Sequence, residues 1–421
     1  MTEDAKILAG NAPVLRAVRA AWVADGTGRC FAPGVILLRG RTVVAVGSPE
    51  SVGDPGPGTE WTDASDCGVL PALVNAHAHL DLTLAEAVAH PEDFHRWLAG
   101  VRGRRMEMDA SAVERSVHAG AQRLLAGGVA AVGDIAGLHA PEASYAACSA
   151  AGIAGCIYEE VFGMGPRIPV AMGAVEVAAG RAGQGGGLRH GLRRGLQPHA
   201  PYSSDRRVYE AALRSGLPVS THLAELLDEH RFLGEGQGPF RALLESLGLW
   251  DGGFEPAGQH PVRWLADRLR AAPGTRILCA HLNYVDDDAL AAAAAAPIDV
   301  AYCPRASSYF GHREHRYREM RAAGINVCLG TDSALCLDTR DRISTLDDLR
   351  FLMRRDGLPL PDALAMATVA GARALGVDPL QFAFGGGPVA GVLAVPLGGH
   401  LAPANFGETS AAPRWLVAPM P

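Results

Sequence analysis

An apolar run ending in two histidines constrains this chain most. It reads Leu70-Pro71-Ala72-Leu73-Val74-Asn75-Ala76-His77-Ala78-His79. Side chains in a strand repeat with period two, so His77 and His79 point to the same side. They stand where the hydrophobic stretch gives out, at the C-terminal end of a buried strand. In a barrel of parallel strands, that end collects the reactive groups. An imidazole pair fixed there can grip one metal ion, provided other strand ends supply the remaining ligands.

Other stretches repeat the pattern. Short apolar runs at 129–134, 155–160, 196–199, 217–222, 276–281, 298–303 and 325–332 alternate with helical, alanine-rich segments. Eight such units predict an α/β fold, a (β/α)8 TIM barrel. One of the helices spans 111–126, with Ser111 and Glu114 as a capping box. Residues 180–195 are rich in Gly and Arg and read as a flexible connection. A stretch at 228–260 departs from the rhythm and reads as a lid or substrate wall. Before the barrel, apolar runs at 14–18, 34–38 and 42–47 are separated by turn residues, and a further strand at 391–395 follows it. They predict a small β-sandwich domain made from both chain ends, 1–69 and 385–421, around a barrel at 70–384. The 421 residues suffice for both.

Composition removes several function classes. The formal net charge is -7, and no Lys/Arg run tracks a nucleic-acid backbone. No apolar stretch approaches the length of a membrane span. The N-terminal residues carry Glu3, Asp4 and Lys6 and no secretory core, which predicts a cytoplasmic protein. The eight cysteines form no Cys-x-x-Cys and read as reduced thiols. No Gly-x-x-x-x-Gly-Lys is present. Lys6 is the sole lysine, which excludes Schiff-base chemistry and a lysine-bridged pair of metals in the barrel.

Four strand ends carry the chemistry: His77 with His79, His222, His281 and Asp332. Neutral imidazoles and a carboxylate suit one divalent ion, Zn2+ first, with Fe2+, Ni2+ and Mn2+ as alternatives. Glu225, three residues after His222, is placed to exchange protons beside the metal.

Six motifs together resemble the amidohydrolase superfamily, in its cytosine-deaminase-like and chlorohydrolase-like branch. They are the 71–79 run, His199-Ala200-Pro201-Tyr202-Ser203, His222-Leu223-Ala224-Glu225, His281-Leu282-Asn283, Cys303-Pro304-Arg305 and Gly330-Thr331-Asp332-Ser333. The resemblance implies that His77, His79, His222 and Asp332 hold the metal and that His281 touches the attacking water or the leaving group. It implies Glu225, His281 and Asp332 as catalytic residues. His199 stands where related two-metal enzymes carry a bridging lysine.

A narrower resemblance rests on His79-Leu80-Asp81-Leu82 and on 303–312, which look like the aminodeoxyfutalosine deaminases of menaquinone biosynthesis. Ala78, Asp81 and Ala306 depart from that family's usual residues. This resemblance implies hydrolytic deamination at C6 of an adenine ring, with 6-aminodeoxyfutalosine giving futalosine and ammonia. Alternatives are deaminases of adenosine, methylthioadenosine or adenosylhomocysteine, or an amidohydrolase acting on another cyclic amidine or a chlorinated ring. Contacts to the nucleoside fall to His199, Asp81, Glu86, Arg305, Tyr309 and His312. Asp134 and Glu160 read as loop-stabilising carboxylates. The partners expected are a small-molecule nucleoside and a second copy of the chain in a homodimer, with neither nucleic acid nor membrane.

Overall fold

The structure is a computed structural model that describes residues 14–89, 92–137, 140–183 and 191–420. Lys6 lies outside them. The chain opens with β1 (Leu15–Ala24), β2 (Cys30–Phe31), β3 (Gly34–Arg39), β4 (Thr42–Gly47) and β5 (Glu60–Pro71). The barrel follows as β6 (Leu73–His79), β7 (Val129–Ala136), β8 (Ala154–Val161), β9 (Leu192–Pro198), β10 (Val219–Leu223), β11 (Ile277–His281), β12 (Ile298–Tyr302), β13 (Asn326–Leu329) and β14 (Asp332–Ser333). Three strands close the chain: β15 (Gly387–Pro388), β16 (Val392–Pro396) and β17 (Arg414–Val417).

Strands β6 to β13 pair in sequence order, all parallel. β13 and β14 are two halves of one eighth strand. β13 pairs with β12 and β14 returns to β6, with Asp332 opposite Ala78, which closes the barrel. At the break, Gly330 N–H donates to Tyr302 O (2.9 Å) and Thr331 N–H to His77 O (3.0 Å). A Cβ on Gly330 would stand 2.8 Å from His77 Cβ and 2.9 Å from Cys303 Sγ, so only glycine fits the approach. All seven residues of β6 are buried, as expected of a parallel strand covered on both sides.

The helix Val369–Leu375 packs on β6, β7, β8, β12 and β13. Asn326 Nδ2, at the start of β13, donates to Ala370 O (3.1 Å), which puts this helix across the N-terminal end of the barrel. The polar strand ends gather at the opposite end.

The small β unit is one continuous sheet in the order β15-β4-β3-β1-β5-β16-β17, with β2 on the edge of β1. It joins both ends of the chain through the antiparallel β5–β16 pair. Its core holds Val18, Ile36, Leu38, Val69 and Val392.

Two local expectations need correction. Residues 180–195 are not simply a connection: a helix runs over Ile168–Gly183, and β9 begins at Leu192, pairing with Gly155. Residues 184–190 lie outside the described residues. The helix expected at 111–126 is Ala110–Ala126, capped by Asp109, whose side chain accepts Ala112 N–H at 2.7 Å. Ser111 Oγ instead accepts from Arg115. An acid one position before the helix outcompetes a serine inside it for the free N–H groups.

Candidate metal centre and active site

His77 and His79, on one face of β6, meet His222 from β10, His281 from β11 and Asp332 from β14. The His77 ring centre lies 5.1 Å from that of His79, 5.0 Å from His222 and 5.5 Å from His281. Asp332 Oδ1 lies 3.4 Å from His79 Nε2 and 3.8 Å from His77 Nε2. Three overlapping trios each bring one donor atom per residue within 4.8 Å: His77-His222-His281, His77-His79-Asp332 and Glu225-His281-Asp332.

These residues fit one divalent ion. His77 is fully buried, yet neither ring nitrogen has a hydrogen-bond partner. A buried imidazole left open in this way is costly unless something else binds its lone pair. His222 Nδ1 lies 3.0 Å from His199 O. Donation there leaves the Nε2 lone pair for a ligand bond, a common way of fixing a metal-binding histidine. Burial pushes the His77, His79, His222 and His281 imidazoles well below their usual range, so they stand neutral. Burial also pushes the Asp332 carboxyl up to about 6, and a cation beside it reverses that push.

The backbone is bent to present these groups. Asp332 (φ 61°) and His281 (φ 75°) are non-glycine residues in left-handed conformation, as is Ala224 (φ 48°) just before Glu225. Such strain persists where the surroundings enforce it. Asn75 enforces it at Asp332: its Oδ1 accepts Thr331 N–H (3.1 Å) and its Nδ2 donates to Thr331 Oγ1 (2.7 Å). At His281, the carbonyl accepts from His315 Nε2 at 2.7 Å. Glu225 Oε1 then lies 3.7 Å from His281 Nε2. Burial and the Asp332 charge hold the Glu225 carboxyl well above its usual range, so it can carry a proton at neutral pH.

Beside the metal centre, Arg105 bridges the ends of β6 and β8. Its Nε lies 2.9 Å from Asp81 Oδ2, its Nη1 2.8 Å from Glu160 Oε2 and its Nη2 3.3 Å from His79 Nδ1. It comes from the last turn of the helix Phe94–Glu107, outside the barrel. In the sequence Arg105 belongs to the short basic run Arg102-Gly103-Arg104-Arg105, whose spacing does not link it to Asp81. Asp81 is therefore at the site. Glu160, raised to about 7 chiefly by burial, belongs to the same network. Asp134 Oδ1 accepts Leu80 N–H (2.9 Å) and holds the turn after β6.

Of the other expected contact residues, His199 lies beside the metal centre, its ring 4.8 Å from that of His222. Its ring stacks on Phe162 (4.6 Å), its Nδ1 meets Ser203 Oγ (2.7 Å), and its Nε2 lies 3.8 Å from Glu160 Oε1. His312 Nδ1 pairs with Tyr284 OH (2.9 Å). Tyr309 packs with Phe310 in an apolar cluster that includes Trp97, Leu335 and Cys336. Glu86 sits on the surface, its side chain 79% exposed and 3.0 Å from Arg104. Arg305 is buried and occupied. Nη1 donates to Asp338 (3.0 Å) and Thr339 (3.2 Å), and Nη2 to Asp348 (2.9 Å) and Ser344 O (3.2 Å).

A model of the amidohydrolase family matches residues 69–380, the whole barrel. The chain belongs to the amidohydrolase family. This amidohydrolase is a metal-dependent hydrolase, with the His/Asp/Glu cluster as its centre. It is 31% identical over 339 residues to the aminodeoxyfutalosine deaminase of Deinococcus radiodurans, covering 75% of each chain. It is 26% identical over 370 residues to a 5-methylthioadenosine/S-adenosylhomocysteine deaminase of Symbiobacterium thermophilum, covering 84% of this chain and 78% of the relative. Its fold matches the crystal structure of Helicobacter pylori aminofutalosine deaminase in complex with methylthio-coformycin, with a TM-score of 0.78 at 18% identity over 96% and 98% of the two chains. Among the described residues, no helix of the amidohydrolase is long and apolar enough to cross a membrane.

Proposed function

We propose that this amidohydrolase deaminates the adenine ring of a nucleoside by hydrolysis, and that the nucleoside is 6-aminodeoxyfutalosine. The observation that carries the reading is the meeting of Glu225, His281 and Asp332 at one point beside three further histidines. A closed structural metal site needs no proton carrier next to it. The 31% identity to an aminodeoxyfutalosine deaminase supports the choice of nucleoside.

In this reading His77, His79, His222 and Asp332 hold the ion. When bound, a divalent ion acidifies water and so supplies a nucleophile near neutral pH. Asp332 takes the proton that the attacking water loses. Glu225 delivers a proton to the ring nitrogen next to C6, so that C6 accepts the incoming oxygen. His281 Nε2 holds that oxygen in place. The proton taken by Asp332 and that of the added oxygen then pass on, one by way of Glu225 to the amine and one to restore Glu225; the C6–N bond breaks, ammonia leaves and a 6-oxopurine remains. In this reading His199, Asp81, Tyr309 and His312 contact the sugar and its substituent. All eight cysteines are unpaired and seven are buried, which supports a reducing, cytoplasmic setting.

The test is ammonia release by zinc-loaded enzyme, ranked by kcat/KM, with aminodeoxyfutalosine, adenosine, methylthioadenosine, adenosylhomocysteine, cytosine and guanine. The expected result is a clear preference for aminodeoxyfutalosine. A preference for methylthioadenosine or adenosylhomocysteine would move the assignment to the second group of relatives. Silence on every adenine nucleoside would remove the purine reading and leave the metal centre standing.

A further inference from the structure

Glu225 follows a residue whose backbone is strained, and something must keep that turn from relaxing. The two consecutive amides at the turn answer how. Ala224 N–H donates to Glu229 Oε1 (2.9 Å) and Glu225 N–H donates to Glu229 Oε2 (3.2 Å). One carboxyl group thus spans both N–H groups, one oxygen each, with Ala224 held at φ 48° between β10 and Glu225. Glu229 is fully buried. Two further bonds fix the carbonyl side: Tyr284 N–H donates to Ala224 O (3.1 Å), and Asn283 Nδ2 donates to Glu225 O (3.2 Å). Every backbone polar group of the turn from Ala224 to Glu225 therefore has a named partner, and a single side chain supplies both acceptors.

Glu229 belongs to the helix Leu227–Glu235, the first element of the stretch that interrupts the barrel rhythm. That helix is anchored by buried Phe232 and Leu233 and followed by the helix Pro239–Ser246, whose Phe240 stacks on Tyr202 at 3.7 Å. Asp228, one residue before Glu229, also meets His95 Nε2 at 2.9 Å, on the helix that carries Arg105. The inserted stretch is thus clamped on both sides.

We propose that Glu229 is a positioning residue for the proton carrier: the inserted helix supplies it to hold the Ala224–Glu225 turn in its strained form, which aims the Glu225 carboxyl at the reacting ring. This rests on the reading of Glu225 as the group that moves protons. A displacement of about 1 Å in a reacting group can cost about 100-fold in rate. Glu229→Gln keeps the size of the side chain but can accept only one of the two N–H groups and turns an NH2 toward the other. Glu229→Ala leaves both amides open beside a small cavity.

The experiment compares zinc-loaded wild type with E229Q, E229A and E225Q, using the nucleoside that wild type deaminates best. It measures kcat, KM, zinc per chain and Tm. E229Q is expected to lose about 100-fold in kcat with KM within about twofold and zinc content unchanged. Added formate is expected to restore part of the E229A rate, because a small carboxylate can refill the gap. A merely structural role would lower Tm while leaving kcat per folded, zinc-bound chain intact, and would show no rescue. Should E229A fail to fold, E229D, one methylene too short to reach both amides, takes its place, with the kcat loss as its readout. E229Q at the wild-type rate beside an inactive E225Q would overturn this inference alone. E225Q at the wild-type rate would overturn the role of Glu225 and this inference with it.

Discussion

His77 and Arg305 are both buried polar side chains near barrel strand ends, and their surroundings differ in one respect. The Nη atoms of Arg305 are taken up by Asp338, Thr339, Ser344 and Asp348. His77 has no hydrogen-bond partner at either nitrogen and stands amid three other imidazoles and a carboxylate. A charge removed from water must be offset by partners inside the protein. Around Arg305 the chain itself provides the carboxylates that offset the charge, although Nε is left without a hydrogen-bond partner. Around His77 the chain supplies only donors of electron pairs, which a cation completes. The same burial therefore signals fold maintenance in one place and chemistry in the other.

The largest effect that probes this contrast comes from Asp332. Asp332→Asn is expected to lower kcat by about 1,000-fold or more, within the range for a lost proton acceptor. Dialysis against a chelator should abolish wild-type activity, and added Zn2+ should restore the wild type but not the variant. Stability should move the other way. Burial holds the Asp332 carboxyl up at about 6, so a neutral amide costs less there, and the metal-free variant should melt no lower than the metal-free wild type. A variant that melts much lower while keeping its activity would make Asp332 a structural residue like Arg305.

Arg305 should show the opposite profile. Arg305→Ala leaves Asp348 buried, fully enclosed and without its cation, a change that typically costs about 3–5 kcal/mol. The folded fraction should keep its KM for the nucleoside that wild type deaminates best within about twofold, since the guanidinium is already engaged. Denaturant unfolding and steady-state kinetics on the same preparation check both halves. A tenfold rise in KM with unchanged stability would show that Arg305 leaves Asp348 to hold the substrate.

The two clusters also differ in how far the sequence reveals them. A parallel strand covered on both faces must be apolar along its length, so a histidine or aspartate at its end stands out. That is why His77, His79, His222, His281 and Asp332 could be found at four strand ends and in register. Cys303-Pro304-Arg305 marks a strand end equally well, but a long side chain can turn to either side of it, and only packing decides which. Arg105 and Glu229 were beyond reach for a different reason. Each sits on a helix outside the barrel, where its spacing to Asp81 or Glu225 carries no period, and an arginine or glutamate on such a helix reads as a solvated residue. The barrel was legible because its periodicity is local. The cap of the 110–126 helix was less so, because a few residues there choose between competing local hydrogen bonds.

Glu86 gives the smallest effect and the sharpest check on distance from the centre. It follows Asp81 by five residues, and both were candidates for the ribose hydroxyls. The turn Leu80–Leu82 keeps Asp81 buried against Arg105, whereas Glu86 reaches the surface and meets Arg104. Adjacent arginines on one helix thus face different environments, Arg105 toward the metal centre and Arg104 toward water. An exposed ion pair contributes little to stability, and salt screens it further. Glu86→Ala should therefore leave Tm, kcat and KM at wild-type values, while Asp81→Ala, which strips Arg105 of one of its two carboxylates, should lower kcat/KM by tenfold or more. Titrating both variants with the same nucleoside decides the matter. If Glu86→Ala raised KM as much as Asp81→Ala, the segment between β6 and the Phe94–Glu107 helix would have to fold inward when substrate binds, and the boundary drawn here between site and surface would move by a full turn of chain.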